Sequence, residues 1–130
     1  MSRFLLDTQV WIWMLQDSSR LRGQTRQIIL DPANERFLST VSVWEIAIKA
    51  NSGRLTLPLR TARDFAVNMA TTVVTPLDVD LEDMCAAAAL PRHHGDPFDR
   101  MIVAQARKLG IPILTSDPWI AAYDVEVISD

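Results

Sequence analysis

Short apolar runs separated by longer helical patterns constrain this chain more than any other feature. Residues 4–6, 37–39, 73–74, 112–115 and 125–128 read as strands. Helical patterns cover residues 8–15, 21–30, 43–50, 62–70, 81–90 and 98–109, with a short helix over 119–122 and a loop over 53–59. Asn51-Ser52-Gly53, Pro91 and Gly110 each follow a helical pattern and stop it. Strands joined by helices line up in parallel, and the helices cover both faces of the sheet. The expected fold is therefore α/β: a three-layer α/β/α sandwich with a central, mostly parallel sheet of four to five short strands. Right-handed crossovers leave few topologies. In such sheets ligands bind beyond the carboxyl ends of the strands, so the residues just after each strand are the ones to inspect.

A chain of 130 residues suits one core, and a single domain over residues 1–130 is expected. No apolar run is long enough to cross a bilayer. Met1-Ser2-Arg3-Phe4-Leu5-Leu6-Asp7 lacks the apolar region and cleavage site of a signal peptide. Cys85 is the only cysteine, which excludes an intrachain disulfide; within Met84-Cys85-Ala86-Ala87 it reads as a reduced, buried thiol. These features favour the cytoplasm. The net charge of -3 argues against a module that holds nucleic acid by general electrostatics. It is compatible with a nuclease, because acids gathered around a metal lower the net charge without repelling substrate once the metal is bound.

Asp7 directly follows the first strand, and Glu45 lies near the start of the helix after the second. Asp96 and Asp99 open the long helix before the fourth strand, and Asp117 follows that strand after Thr115-Ser116. Capping alone accounts for each acid taken singly. Ser42-Val43-Trp44-Glu45 matches a capping box, Asp96-Pro97 and Asp117-Pro118 are cap-then-proline helix starts, and Asp7 precedes the first helix. Taken together on a parallel sheet, these helix starts share one edge. Carboxylates converging there repel one another or take up protons unless a cation intervenes. Oxygen ligands suit Mg2+ or Mn2+, and the helix amino termini add positive potential. No Cys/His pattern points to zinc.

Four stretches carry a family resemblance. They are Phe4-Leu5-Leu6-Asp7-Thr8, then Ser39-Thr40-Val41-Ser42-Val43-Trp44-Glu45-Ile46-Ala47-Ile48-Lys49, then His94-Gly95-Asp96-Pro97-Phe98-Asp99-Arg100-Met101-Ile102-Val103-Ala104-Gln105-Ala106, and finally Leu114-Thr115-Ser116-Asp117. In order and spacing the chain resembles PIN domains, and among them the VapC-type toxins of type II toxin–antitoxin systems. The third stretch is the most specific. The resemblance implies a PIN-like fold and a Mg2+- or Mn2+-dependent endoribonuclease acting on transfer or ribosomal RNA. It implies Asp7, Glu45 and Asp99 as principal metal-binding and catalytic carboxylates, with Asp117 as the fourth. Asp96, one helical turn before Asp99, either caps its helix or meets the metal through water. Thr8, Thr115 and Ser116 are supporting residues. The metal is expected to activate a water for in-line attack on phosphorus. A homodimer and a cognate antitoxin that covers the acidic site are likewise implied by resemblance.

Other residues have two readings each. His93 and His94 are solvated loop residues or phosphate contacts, with Arg92 and Arg100 as possible RNA-contacting neighbours; Arg100 is alternatively a partner of Asp96 or Glu82. Trp11 and Trp13 cannot share a helical face, so one packs in the core and the other faces an interface. Trp44 is expected to anchor the core, on one face with Ala47 and Ile48. Arg20, Arg22 and Arg26 form either a solvated face or a contact for RNA or antitoxin. A non-catalytic scaffold of the same fold predicts loss of one or more of the four acids, yet all four are present. A DNA nuclease or phosphohydrolase needs room for a duplex-binding element that a chain this short does not offer.

Overall fold

The computed structural model describes residues 2–129. Its strands are β1 (Arg3–Leu6), β2 (Glu35–Ser39), β3 (Thr75–Leu77), β4 (Ile113–Leu114) and β5 (Val127–Ile128). The helices are α1 (Thr8–Gln16), α2 (Gly23–Leu30), α3 (Thr40–Asn51), α4 (Ala62–Thr71), α5 (Leu81–Ala89) and α6 (Pro97–Leu109). The strands form one sheet in the order β3-β2-β1-β4-β5, with every pairing among the described residues parallel.

Alternation along β1 sorts the core into two halves. Phe4 and Leu6 face a cluster with Val10, Trp11 and Ile12 of α1, Ile46 of α3, and Phe65 and Met69 of α4. Leu5 faces the opposite side, where it meets Ile102, Val103 and Ala106 of α6 together with Ile113, Ile120 and Tyr123. Ala87, Met101 and Ala104 then join α5 to α6. The result is the expected three-layer sandwich. Helix α6 ends at Gly110, whose φ of +65° suits a residue without a side chain, and Arg107 and Lys108 in its last turn complement the helix dipole.

Several local expectations require correction. Residues 73–74 do not form the third strand. Val73 has a φ of +53° and Val74 bonds back to Met69, so both close off α4, and the strand starts only at Thr75. Pro76 is tolerated there because β3 is an edge strand. Residues 119–122 form successive turns rather than a helix, since Ile120 bonds to Asp117 and Tyr123 to Ile120 in i to i+3 steps. Helix α3 starts earlier than expected, with Ser39 accepting a bond from the Val41 amide. Its buried stripe runs through Ser42, Glu45, Ile46 and Ala50, so Trp44 falls outside it and is 62% exposed instead of anchoring the core. On α5 the inward positions are Asp83 and Ala87, which leaves Cys85 exposed, not buried. Trp11 is the core tryptophan, and Trp13 is half-buried.

Candidate metal centre

The strand order reverses at β1, whose neighbours are β2 on one side and β4 on the other. A crevice opens beyond the carboxyl ends of such a switch point. Asp7 emerges directly into it. Asp7 stands at the N-cap of α1, yet its side chain makes no capping bond. Instead Oδ2 accepts the Thr115 hydroxyl at 2.7 Å. Thr115 in turn accepts the Asp117 amide at 3.0 Å, so one hydroxyl after β4 fixes two acids. Capping therefore does not explain Asp7.

Glu45 is buried, and because α3 begins at Thr40 it sits in the second turn, where no capping box forms. Its Oε1 accepts the Thr8 hydroxyl at 2.9 Å, and Oε2 accepts Lys49 Nζ at 2.8 Å. Thr8 Oγ1 also lies 2.7 Å from the hydroxyl of Ser42, a fully buried residue that the sequence suggested as a helix cap and that lies inside α3 instead. Thr8 has one proton, so donation to Glu45 leaves Ser42 as the donor to Thr8.

Asp96 does cap α6: Oδ1 accepts the Phe98 amide at 2.8 Å, with Pro97 in the first turn. Asp99 lies in that same first turn. His94 Nε2 is 2.9 Å from Asp99 Oδ2 and 2.9 Å from Asp117 Oδ2. Nδ1 of the ring accepts the Asp96 amide at 3.1 Å, so the ring hydrogen lies on Nε2 and points at the two carboxylates. Asp117 Oδ1 accepts the Trp119 amide at 2.9 Å. The ligand-type atoms of His94, Asp99 and Asp117 all lie within 4.8 Å of one another. The Nε2 hydrogen makes His94 the donor of this trio and leaves metal ligation to oxygen.

Electrostatics ties the acids into one group. Burial pushes the Asp7 carboxyl up to about 6, and the Glu45 and Asp117 charges add to the rise against the Thr115 hydrogen bond. Burial likewise pushes Asp99 up to about 8, reinforced by the charges of Asp7, Asp96, Glu45 and Asp117. Carboxyls raised in this way are short of a counter-charge. The donor set is all oxygen and suits a hard divalent cation such as Mg2+ or Mn2+.

The remaining candidates divide. Ser116 is exposed and lines a cavity together with Thr115. Arg92 is exposed on the loop before α6. Arg100 pairs with neither Asp96 nor Glu82. Its guanidinium donates to the carbonyls of Ala87, Ala88, Leu90, Pro91 and His94, fastening the end of α5 and the His94 loop. His93 packs edge-on against Tyr123, at 4.9 Å between ring centroids. The position of His94 among the acids was not foreseen; its closeness in sequence to Asp96 and Asp99 was the available signal.

The chain is 31% identical to Ribonuclease VapC22 of Mycobacterium tuberculosis over 127 residues, covering 95% of this chain and 93% of the relative. The structure matches VapBC2 from Rickettsia felis with a TM-score of 0.70 at 8% identity over 98% of both chains. It matches DNA-bound VapBC from Salmonella typhimurium with a TM-score of 0.69 at 20% identity, over 99% of this chain and 98% of the other. The family model of the PIN domain matches residues 4–126. With that match spanning nearly its whole length, the chain belongs to the PIN-domain family.

Proposed function

We propose that this chain is a Mg2+- or Mn2+-dependent endoribonuclease and the toxin component of a toxin–antitoxin module. The observation that carries this reading is the grouping of Asp7, Glu45, Asp99 and Asp117 near the switch point, with Asp7 and Asp99 raised by burial and by the charges of the other acids. The ribonuclease name of the relative at 31% identity supports it.

Asp7, Asp99, Glu45 and Asp117 would hold the metal, with Asp96 at the edge of the same group. A divalent ion bound there supplies Lewis acidity toward a water and a phosphate oxygen. The chain's own residues do the positioning. Thr115 orients Asp7, Thr8 orients Glu45, and His94 binds Asp99 to Asp117. The amino terminus of α6 lends positive potential to a bound phosphate. RNA of the transfer or ribosomal class is the substrate, with Arg92 and His94 at the margin of the site as candidate contacts. A cognate antitoxin and a second copy of the chain are the partners, and the cytoplasm is the place of action. Among the described residues no helix is long and apolar enough to cross a membrane.

The test is purified protein with total cellular RNA, with Mg2+ or Mn2+ and with a chelator, followed by mapping of the cut ends. Metal-dependent cuts that vanish in Asp7→Asn are expected. Equal cutting by Asp7→Asn, or cutting of single-stranded DNA but not RNA, would overturn the reading.

A further inference from the structure

In the acidic hollow, Glu45 already has a cation. Lys49 Nζ lies 2.8 Å from its Oε2, one helical turn further along α3. Pairs of this spacing are common on exposed helix faces, where they add little stability. This pair differs in where its acid sits. The Glu45 side chain is 7% exposed and that of Lys49 is 42% exposed. The ammonium thus reaches from solvent to a buried carboxylate of the candidate metal centre. The other oxygen of Glu45 is taken by the Thr8 hydroxyl, so both ends of the carboxylate have a donor.

Two consequences follow from that placement. Removing Lys49 would leave a buried charge without its counter-charge, so the ammonium supports Glu45 as long as no other cation does. A divalent ion ligated by the same carboxylate would stand close to Nζ, and like charges at short range repel. Ligation through Glu45 therefore favours release of Lys49. The half-exposed stem of Lys49 can swing, since its four carbons are flexible and its head is already near water. A phosphate drawn to the metal brings a new anion to the same place, and an ammonium is a common partner for phosphate.

We infer that Lys49 is an exchangeable counter-ion of the candidate metal centre, paired with Glu45 while the metal is absent and turned to a phosphate of the RNA backbone once the metal is bound. The inference rests on the nuclease reading for its metal and its substrate. In the first state Lys49 is a positioning residue that keeps Glu45 in place. In the second it is a contact to the RNA backbone, independent of base sequence.

Lys49→Met keeps an unbranched stem and removes the charge. By calorimetry its Mg2+ affinity should rise about threefold or more, because a competing cation is gone. In chelator it should melt below the parent, and saturating Mg2+ should narrow the gap. An ordinary helix ion pair predicts the same gap in both conditions and an unchanged Mg2+ affinity. Arg54, whose Nε bonds to Ser52 in the loop after α3, is the control: Arg54→Met changes the net charge equally and should leave Mg2+ affinity near the parental value. RNA binding is read in the Asp7→Asn background at saturating Mg2+, with a mixed-sequence single-stranded RNA of about a dozen nucleotides. Adding Lys49→Met should weaken binding at least about fivefold and lower the slope of log affinity against log salt by about 0.7. Lys49→Arg should keep most of both. Unchanged or weaker Mg2+ binding in Lys49→Met, or RNA affinity equal to that of Asp7→Asn alone, would overturn the inference. Cleavage by the unmodified protein is scored separately. Metal-dependent cuts with no effect of Lys49→Met remove only the counter-ion, and the two Lys49 effects without cuts remove only the nuclease.

Discussion

Thr115 Oγ1 donates to Asp7 Oδ2 across 2.7 Å, joining the residue after β4 to the residue after β1, 108 positions away in sequence. The same oxygen accepts the Asp117 amide. Thr115→Val keeps the shape and removes both bonds. We expect cleavage to fall about 10- to 100-fold, the range for losing an outer partner of a metal ligand, with Thr115→Ser restoring most of it. Initial rates at saturating Mg2+ check this, and an unaffected rate in the valine variant would contradict the positioning role.

The metal-free protein should lose stability as pH rises. Asp7 and Asp99 sit at about 6 and about 8 in the fold, above the ordinary carboxylate value of 3.8. The folded state therefore holds more protons than the unfolded one between those values. Stability is fully present below about pH 4 for these two groups and is lost as pH climbs through about 6 and then about 8. Added Mg2+ should raise the thermal midpoint more at about pH 8 than at about pH 5, since ligation needs the deprotonated forms. Melting curves with and without chelator test this; an equal Mg2+ effect at both pH values would count against it.

His94→Asn should loosen the link between Asp99 and Asp117 without removing a carboxylate. We expect Mg2+ affinity to fall about tenfold or more by calorimetry while the fold is retained. Affinity equal to the parent would mean that the 2.9 Å contacts have no bearing on the metal.

Arg100→Lys separates a structural arginine from an RNA contact. The guanidinium spreads its donors over carbonyls from Ala87 to His94, which a single ammonium cannot match. The lysine variant should lose about 2 kcal/mol or more of stability, given several charge-assisted bonds. Denaturant unfolding measures this. Parent-like stability combined with weaker RNA binding would favour the contact.

The sheet was legible because strand and helix periods differ plainly along this chain, and the converging acids followed from where the strands end. What the sequence hid was rotation and continuity. Trp44 looked like a core residue, but α3 begins at Thr40 and turns Ser42, Glu45 and Ile46 inward instead. Val73 and Val74 are apolar and β-branched, yet the turn closing α4 claims them. Arg100 reads as an RNA contact or a partner for an acid until five carbonyls, from the end of α5 and the loop after it, are brought to it. Similarly, His94 meets Asp117 only once β4 lies beside β1.

Because β4 lies next to β1 in the middle of the sheet and not at its rim, the hollow is completed only when two stretches more than 100 residues apart dock side by side. Until residues 113–117 have docked, Asp7 lacks its hydroxyl donor and Asp99 lacks its bridge to Asp117. A partly folded chain therefore has its acids but not their arrangement, and the hollow exists only in the fully folded protein.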